Sequence, residues 1–376
     1  MKSVFVENYS VLTGLGCNVE DNFNSILAGG CSINTEDFHG GKISLSRINN
    51  DAADRYSFKD VNISRLEKHL IISIEDALSS SSVYPEDPST IFLISTTKGN
   101  IDNLDAVNPF KTDARRIRLH EMAFFISSYF GNPNRPVIIC NACISGLSAI
   151  ITAKYLISAG NLKNAVVCGG DIISDFVMSG FSSLKAVSGE PSRPFDKTRN
   201  GLSLGEACGA LILTNENKAE EQILVAGCAS SNDANHISGP SRDGGGLLLA
   251  IEASMREASI CVDDVTSISA HGTGTVFNDE MESIAFERAS LSDIPVYSLK
   301  GFFGHTLGAA GIIESILSIH AMKKNIILPS GGFVKPGISG NISVSAEHLY
   351  SQNNICLKTG SGFGGCNAGV VFKKNV

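Results

Sequence analysis

The chain has 376 residues, 43% hydrophobic and only 18% charged, with a formal net charge of −8. That balance suits a compact enzyme with much buried backbone, and it excludes a disordered chain and the basic footprint of a nucleic-acid binder. No run approaches the roughly 18–20 apolar residues that a bilayer span requires. Ten cysteines without a signal-peptide pattern point to a reducing compartment and a cytoplasmic protein. Cys168, Cys208, Cys228 and Cys356 stand in apolar runs and read as ordinary buried thiols.

In chain order, residues 68–78 carry helical spacing and residues 91–94 read as a short apolar strand. Val137–Ile139 is a second strand, followed by a small-residue turn and an amphipathic helix over 145–159. Strands then follow at 165–168 and 209–213, another at Pro295-Val296, and a helix over 309–322. This alternation predicts an α/β protein with mixed, largely buried sheets. Segments 34–60 and 100–129 read as insertions between core elements. The second half echoes the first: the strand before Thr96-Thr97-Lys98-Gly99 parallels the strand before His271-Gly272-Thr273-Gly274. The halves divide near residue 217, giving 1–217 and 218–376, with no low-complexity linker between them.

Three side chains carry chemistry. Cys143, in Cys140-Asn141-Ala142-Cys143-Ile144-Ser145-Gly146, sits where a helix begins, and there free N–H groups and the helix dipole favour a thiolate. Cys140 completes a C-x-x-C, but it ends the strand, whereas a redox pair needs both thiols at the helix start. His271 and His305 lie in glycine-rich turns, where backbone can approach a ligand closely. A cysteine with two such histidines suits covalent acyl transfer. Lys300, flanked by Leu299 and Gly301-Phe302-Phe303, would be costly to bury without a partner. Ser361-Gly362-Phe363-Gly364-Gly365 reads as a turn whose N–H groups are open to a ligand.

Five separated blocks make the chain similar to the β-ketoacyl-acyl carrier protein synthases, the condensing enzymes of fatty-acid and polyketide synthesis. They are ACISG (142–146), SRPFDKTRNGLSLGEACG (192–209), AHGTGTVFNDEME (270–282), SLKGFFGHTLGAAG (298–311) and GSGFGGCNA (360–368). The resemblance implies an α/β thiolase fold, two similar βαβαβαββ halves in a five-layered α-β-α-β-α arrangement. It implies a decarboxylative Claisen condensation in which Cys143 takes the acyl group. His271 and His305 would donate Nε2–H to the malonyl thioester oxygen, Lys300 would pair with Glu314, and Asp279 and Glu282 would order loops.

The same resemblance assigns the N–H groups of Cys143 and Phe363 to an oxyanion hole, with the Phe363 ring as a gate. It places Thr273, Thr275 and Ser238 along a pantetheine tunnel and Ile144 and Gly364 against the substrate. Lys185 would meet an acidic acyl carrier protein, with Arg65 and Lys68 as further basic residues. No metal is implied, and no cofactor beyond the phosphopantetheine that carries the substrates. A dimer is implied, with a copy of itself or a related subunit, pairing strand 165–168 across a two-fold axis. Cys366 stands in place of the family's usual threonine and Asn200 in place of its aspartate, and Ile144 exceeds the usual small residue. These departures leave fatty-acid, polyketide and aryl-polyene elongation all open. The alternatives are a non-catalytic chain-length-factor-like subunit and a degradative thiolase.

Overall fold

The computed structural model describes residues 2–48, 62–105, 113–218, 222–233, 235–236 and 239–374. The N-terminal half holds strands β1 (Phe5–Thr13), β2 (Asn34–Phe38), β3 (Gly41–Ser46), β4 (Thr90–Ser95), β5 (Val137–Ile139), β6 (Asn164–Asp171), β7 (Leu204–Gly205) and β8 (Ala207–Thr214). The C-terminal half holds β9 (Ile223–Asn232), β10 (Ser267–Ser269), β11 (Pro295–Tyr297), β12 (Ile326–Ile327), β13 (Ser343–Val344), β14 (Leu349–Tyr350), β15 (Ile355–Gly362) and β16 (Cys366–Lys374).

Strand order exposes an internal repeat. Eleven strands form one ribbon, β13-β11-β10-β15-β16-β9-β1-β8-β6-β4-β5. The first half runs β5-β4-β6-β8-β1 and the second β11-β10-β15-β16-β9. Each half has two parallel pairings followed by two antiparallel ones. Within the ribbon the halves join at a short seam, Phe5 opposite Leu224 and Val6 opposite Ile223.

Alternation along the strands divides the apolar residues into separate cores, because successive side chains leave opposite faces. Ala165 and Val167 of β6 and Leu211 and Leu213 of β8 face a central core with the helices Ser145–Ser158 and Ala310–Lys323. Ala368, Val370 and Phe372 of β16 enter the same core from the other half. Val166, Cys168, Ala210 and Ile212 face outward against the helices Arg65–Ser79 and Leu119–Tyr129. Leu357 and Val371 face outward on the other side, against the helices Gly245–Ala258 and Val276–Arg288. Helix, sheet, helix, sheet, helix: this is the five-layered thiolase fold.

The two central helices touch backbone to backbone. A Cβ on Gly146 would lie 2.7 Å from the Ile312 nitrogen, and one on Gly311 would lie 2.4 Å from the Leu147 nitrogen. Only glycine fits at such a contact.

Two expectations change. The strand β6, residues 165–168 included, is flanked by β4 and β8 along its length, so it has no free edge to pair across a two-fold axis. The edge strand of that half is β5. Segment 100–129 is also no mere insertion. Its helix Leu119–Tyr129 buries Met122, Ala123 and Ile126 in an outer core. From segment 34–60, β2 and β3 form a small sheet with β7, and residues 49–60 lie outside the described residues.

Candidate active site

The thiol is set by a tight turn between β5 and the Ser145–Ser158 helix. Ala142 has φ of +45°, unusual for a residue with a side chain, and Ser145 Oγ bonds both the Asn141 N–H (2.8 Å) and the Ala142 carbonyl (2.6 Å). The turn of residues 361–365 closes over it, and a Cβ on Gly362 would lie 3.1 Å from the Cys143 nitrogen. The Phe363 N–H bears on the Cys143 sulfur and favours its ionised form. Cys143 is buried, which works against the thiolate that the helix start favours. Burial pushes the thiol up to about 11, although Lys300 and the Phe363 N–H act in the other direction. Desolvation outweighs both.

His271 and His305 come from corresponding loops of the second half, after β10 and after β11. One ring nitrogen of each and the Cys143 sulfur all lie within 4.8 Å of one another. The rings meet edge to face, with centroids 5.2 Å apart. Their tautomers follow from their partners. The Leu307 N–H donates to His305 Nδ1 (3.3 Å), and the Lys300 ammonium contacts His271 Nδ1 at 3.3 Å. Both Nδ1 atoms therefore accept, which leaves the proton on Nε2 of each ring. Nε2 of His305 is buried with no partner among the described residues. Burial, then the charge of Lys300, holds both imidazoles well below the usual histidine range, and Lys358 adds to this. The site thus presents neutral imidazoles that donate.

Behind them lies a buried charge cluster. Lys300 Nζ donates to Glu314 Oε1 (2.5 Å) and to the His271 carbonyl (2.6 Å). Glu314 Oε2 meets a second buried ammonium, Lys358, at 2.6 Å. Glu282 accepts the N–H groups of His271 (2.7 Å) and Gly272 (2.6 Å), and Asp279 accepts those of Phe195 (2.7 Å) and Thr273 (2.9 Å). Burial and the neighbouring Asp279 push Glu282 up to about 7.

Sequence reasoning missed two members of this site. Lys358, the lone charge in the apolar strand β15, is one. Asp171, ending β6, is the other. It accepts from Thr96 Oγ1 (2.7 Å), the Thr97 N–H (2.9 Å) and the Gly308 N–H (2.7 Å), tying the first half to the loop of His305. A charged residue at the end of an apolar run was the available signal in each case.

A cavity of about 440 Å³ leads to these groups, lined by Cys143, His271, His305, Thr273, Thr275 and Phe363 among others. Phe181 stacks on Phe363 with centroids 5.8 Å apart. Lys185 lies exposed at the cavity, beside the outward-facing Leu184, Val276 and Phe277. Other expected residues sit elsewhere. Ile144 is packed into the central core and does not line the cavity. Arg65 is committed to Glu206, with N–O distances of 2.7 and 2.6 Å, and neither it nor Lys68 borders the cavity. Gly364 turns at φ of +88°, and its carbonyl accepts from Asn232 rather than facing the cavity. Ser238 lies outside the described residues.

Residues 1–219 match the N-terminal domain of β-ketoacyl synthases and residues 223–333 the C-terminal domain. The chain is 32% identical over 287 residues to 3-oxoacyl-[acyl-carrier-protein] synthase 2 of Rhizobium meliloti, covering 71% of this chain and 67% of that protein. It is 32% identical over 254 residues to the tetracenomycin polyketide synthase ketoacyl synthase alpha subunit of Streptomyces glaucescens, covering 63% and 59%. The ketosynthase ApeO, solved with its chain length factor ApeC from Xenorhabdus doucetiae, shares the fold with a TM-score of 0.86 at 23% identity, over 99% of this chain and 98% of that one. No helix among the described residues is long and apolar enough to cross a membrane. Matched over both domains, the chain belongs to the β-ketoacyl synthase family.

Proposed function

We propose that the protein is a β-ketoacyl-acyl carrier protein synthase that joins an acyl group held on Cys143 to a malonyl unit, each delivered on phosphopantetheine. The observation that carries this reading is the convergence of a buried thiol with two neutral, Nε2-donating imidazoles at the foot of one cavity. In the first stage Cys143 sulfur attacks the carrier thioester. The thiol proton ends on the leaving pantetheine sulfur, and the Phe363 and Cys143 N–H groups hold the transient oxyanion. In the second stage the Cα–carboxylate bond of the malonyl thioester breaks and carbon dioxide leaves. The enolate oxygen is held by His271 and His305, and its carbon attacks the acyl-Cys143 carbonyl. Cys143 sulfur departs and takes up a proton. A non-catalytic chain-length role is disfavoured by the retained Cys143, His271 and His305.

The open edge of β5 is where a second subunit would extend the sheet, as a copy of this chain or as a related partner. The working compartment is the cytoplasm. Incubation with a panel of acyl-carrier thioesters and malonyl-carrier protein tests the reading directly. The expected result is an acyl mass on Cys143 followed by a β-ketoacyl product, and absence of both with every thioester would overturn it.

Lys185 gives the carrier a local cation on an acidic body. Lys185→Glu is expected to weaken condensation with carrier-borne substrates by roughly tenfold at low salt, less as salt rises. Small soluble thioesters should react unchanged. Equal loss on both substrates would mean that Lys185 does not meet the carrier.

A further inference from the structure

Lys358 has no surface to serve. It is 1% exposed, in the middle of β15, yet its ammonium reaches Glu314 Oε2 at 2.6 Å and the carbonyls of Ser269 (3.2 Å) and Ala270 (3.0 Å). Those carbonyls belong to the two residues directly before His271. Burying a second ammonium beside Lys300 is unfavourable unless its charge has a use, because each cation must be desolvated and only one carboxylate bridges them.

We propose that Lys358 is a positioning residue of this site: sharing Glu314 with Lys300 and gripping the Ser269 and Ala270 carbonyls, it fixes His271 and leaves excess positive charge behind both imidazoles. This rests on the ketosynthase reading above and deepens it. Positive charge behind the rings has two effects. It keeps the imidazoles uncharged, so that they donate from Nε2 without becoming cations, and it favours the negative enolate oxygen that forms in front of them. Lys300 and Lys358 oppose imidazole protonation, Glu314 is shared between the two lysines, and Glu282 is turned to the His271 and Gly272 N–H groups. Asp279 faces Glu282, its own loop and the Phe195 N–H, while Lys98 and Asp171 act on Cys143. The contacts of Lys358 run to Glu314 and to the carbonyls before His271, not to the Cys143 turn, so its effect should fall on the malonyl stage.

The test is malonyl-thioester decarboxylation across pH 4.5–8 for the wild type, Lys358→Met and Lys358→Arg, with Cys143 alkylation by iodoacetamide followed in parallel. In Lys358→Met the acid limb should move to higher pH by about one unit, with the plateau rate about tenfold lower, while alkylation stays within about twofold. Lys358→Arg, which keeps the charge, should return the limb towards the wild-type position. An unmoved limb in Lys358→Met, or equal loss of decarboxylation and alkylation, would overturn the proposal. So would failure of both variants to fold, which would assign Lys358 to the core alone. If the wild type does not decarboxylate malonyl thioesters at all, the ketosynthase reading fails instead.

Discussion

Replacing Cys143 by serine or alanine is expected to abolish acyl loading and to cut condensation by on the order of 10⁴-fold or more. Burial already pushes the thiol up to about 11, and a serine hydroxyl in the same place would be far harder to ionise. Cys143→Gln should behave differently. The imidazoles and Lys300 come from the other half of the chain, so malonyl decarboxylation should persist without condensation. Peptide mass spectrometry checks the assignment. An acyl adduct on Cys140 or Cys366 in the wild type, with Cys143 unmodified, would move the nucleophile elsewhere.

The second large effect belongs to the imidazoles. His271→Ala and His305→Ala should each lower malonyl decarboxylation by about 10²–10³-fold, the usual cost of one donor to a developing oxyanion. Acylation of Cys143 should continue in both. The pH dependence has a definite sign. Burial and Lys300 hold both rings well below the ordinary histidine value, so they stay neutral from pH 7 to pH 6. The imidazoles should therefore contribute no fall in decarboxylation across that interval, where Glu282, pushed up to about 7, is the group that titrates. A fall in rate between pH 7 and pH 6 that persists in Glu282→Gln would contradict neutral donors.

Much of this architecture is legible in the residues. The apolar run 137–139, the small-residue turn and the helix after it place Cys143 correctly, because the spacing of apolar residues dictates local structure. Pairing partners are less legible. The strands β5 and β6 are both short apolar runs, and only the sheet order shows which one has a free edge. The glycine-rich blocks locate the histidines, but the ionisation of Cys143 depends on burial from several loops, and no local motif records that. Lys358 and Arg65 mark the same limit in opposite directions. A lysine inside an apolar strand reaches the centre of the site, whereas an arginine on a charged helix face is spent on Glu206.

The glycine pair at 146 and 311 constrains the chemistry in one direction only. It lies three residues beyond the nucleophile and six beyond His305, and backbone already touches backbone there. The approach of the two helices that follow the nucleophile and His305 therefore sits at its steric minimum. Substitution at either glycine can widen it, and none can narrow it. Divergence in substrate is therefore expected at the walls and mouth of the cavity, while the spacing of the two central helices is a fixed gauge of the fold.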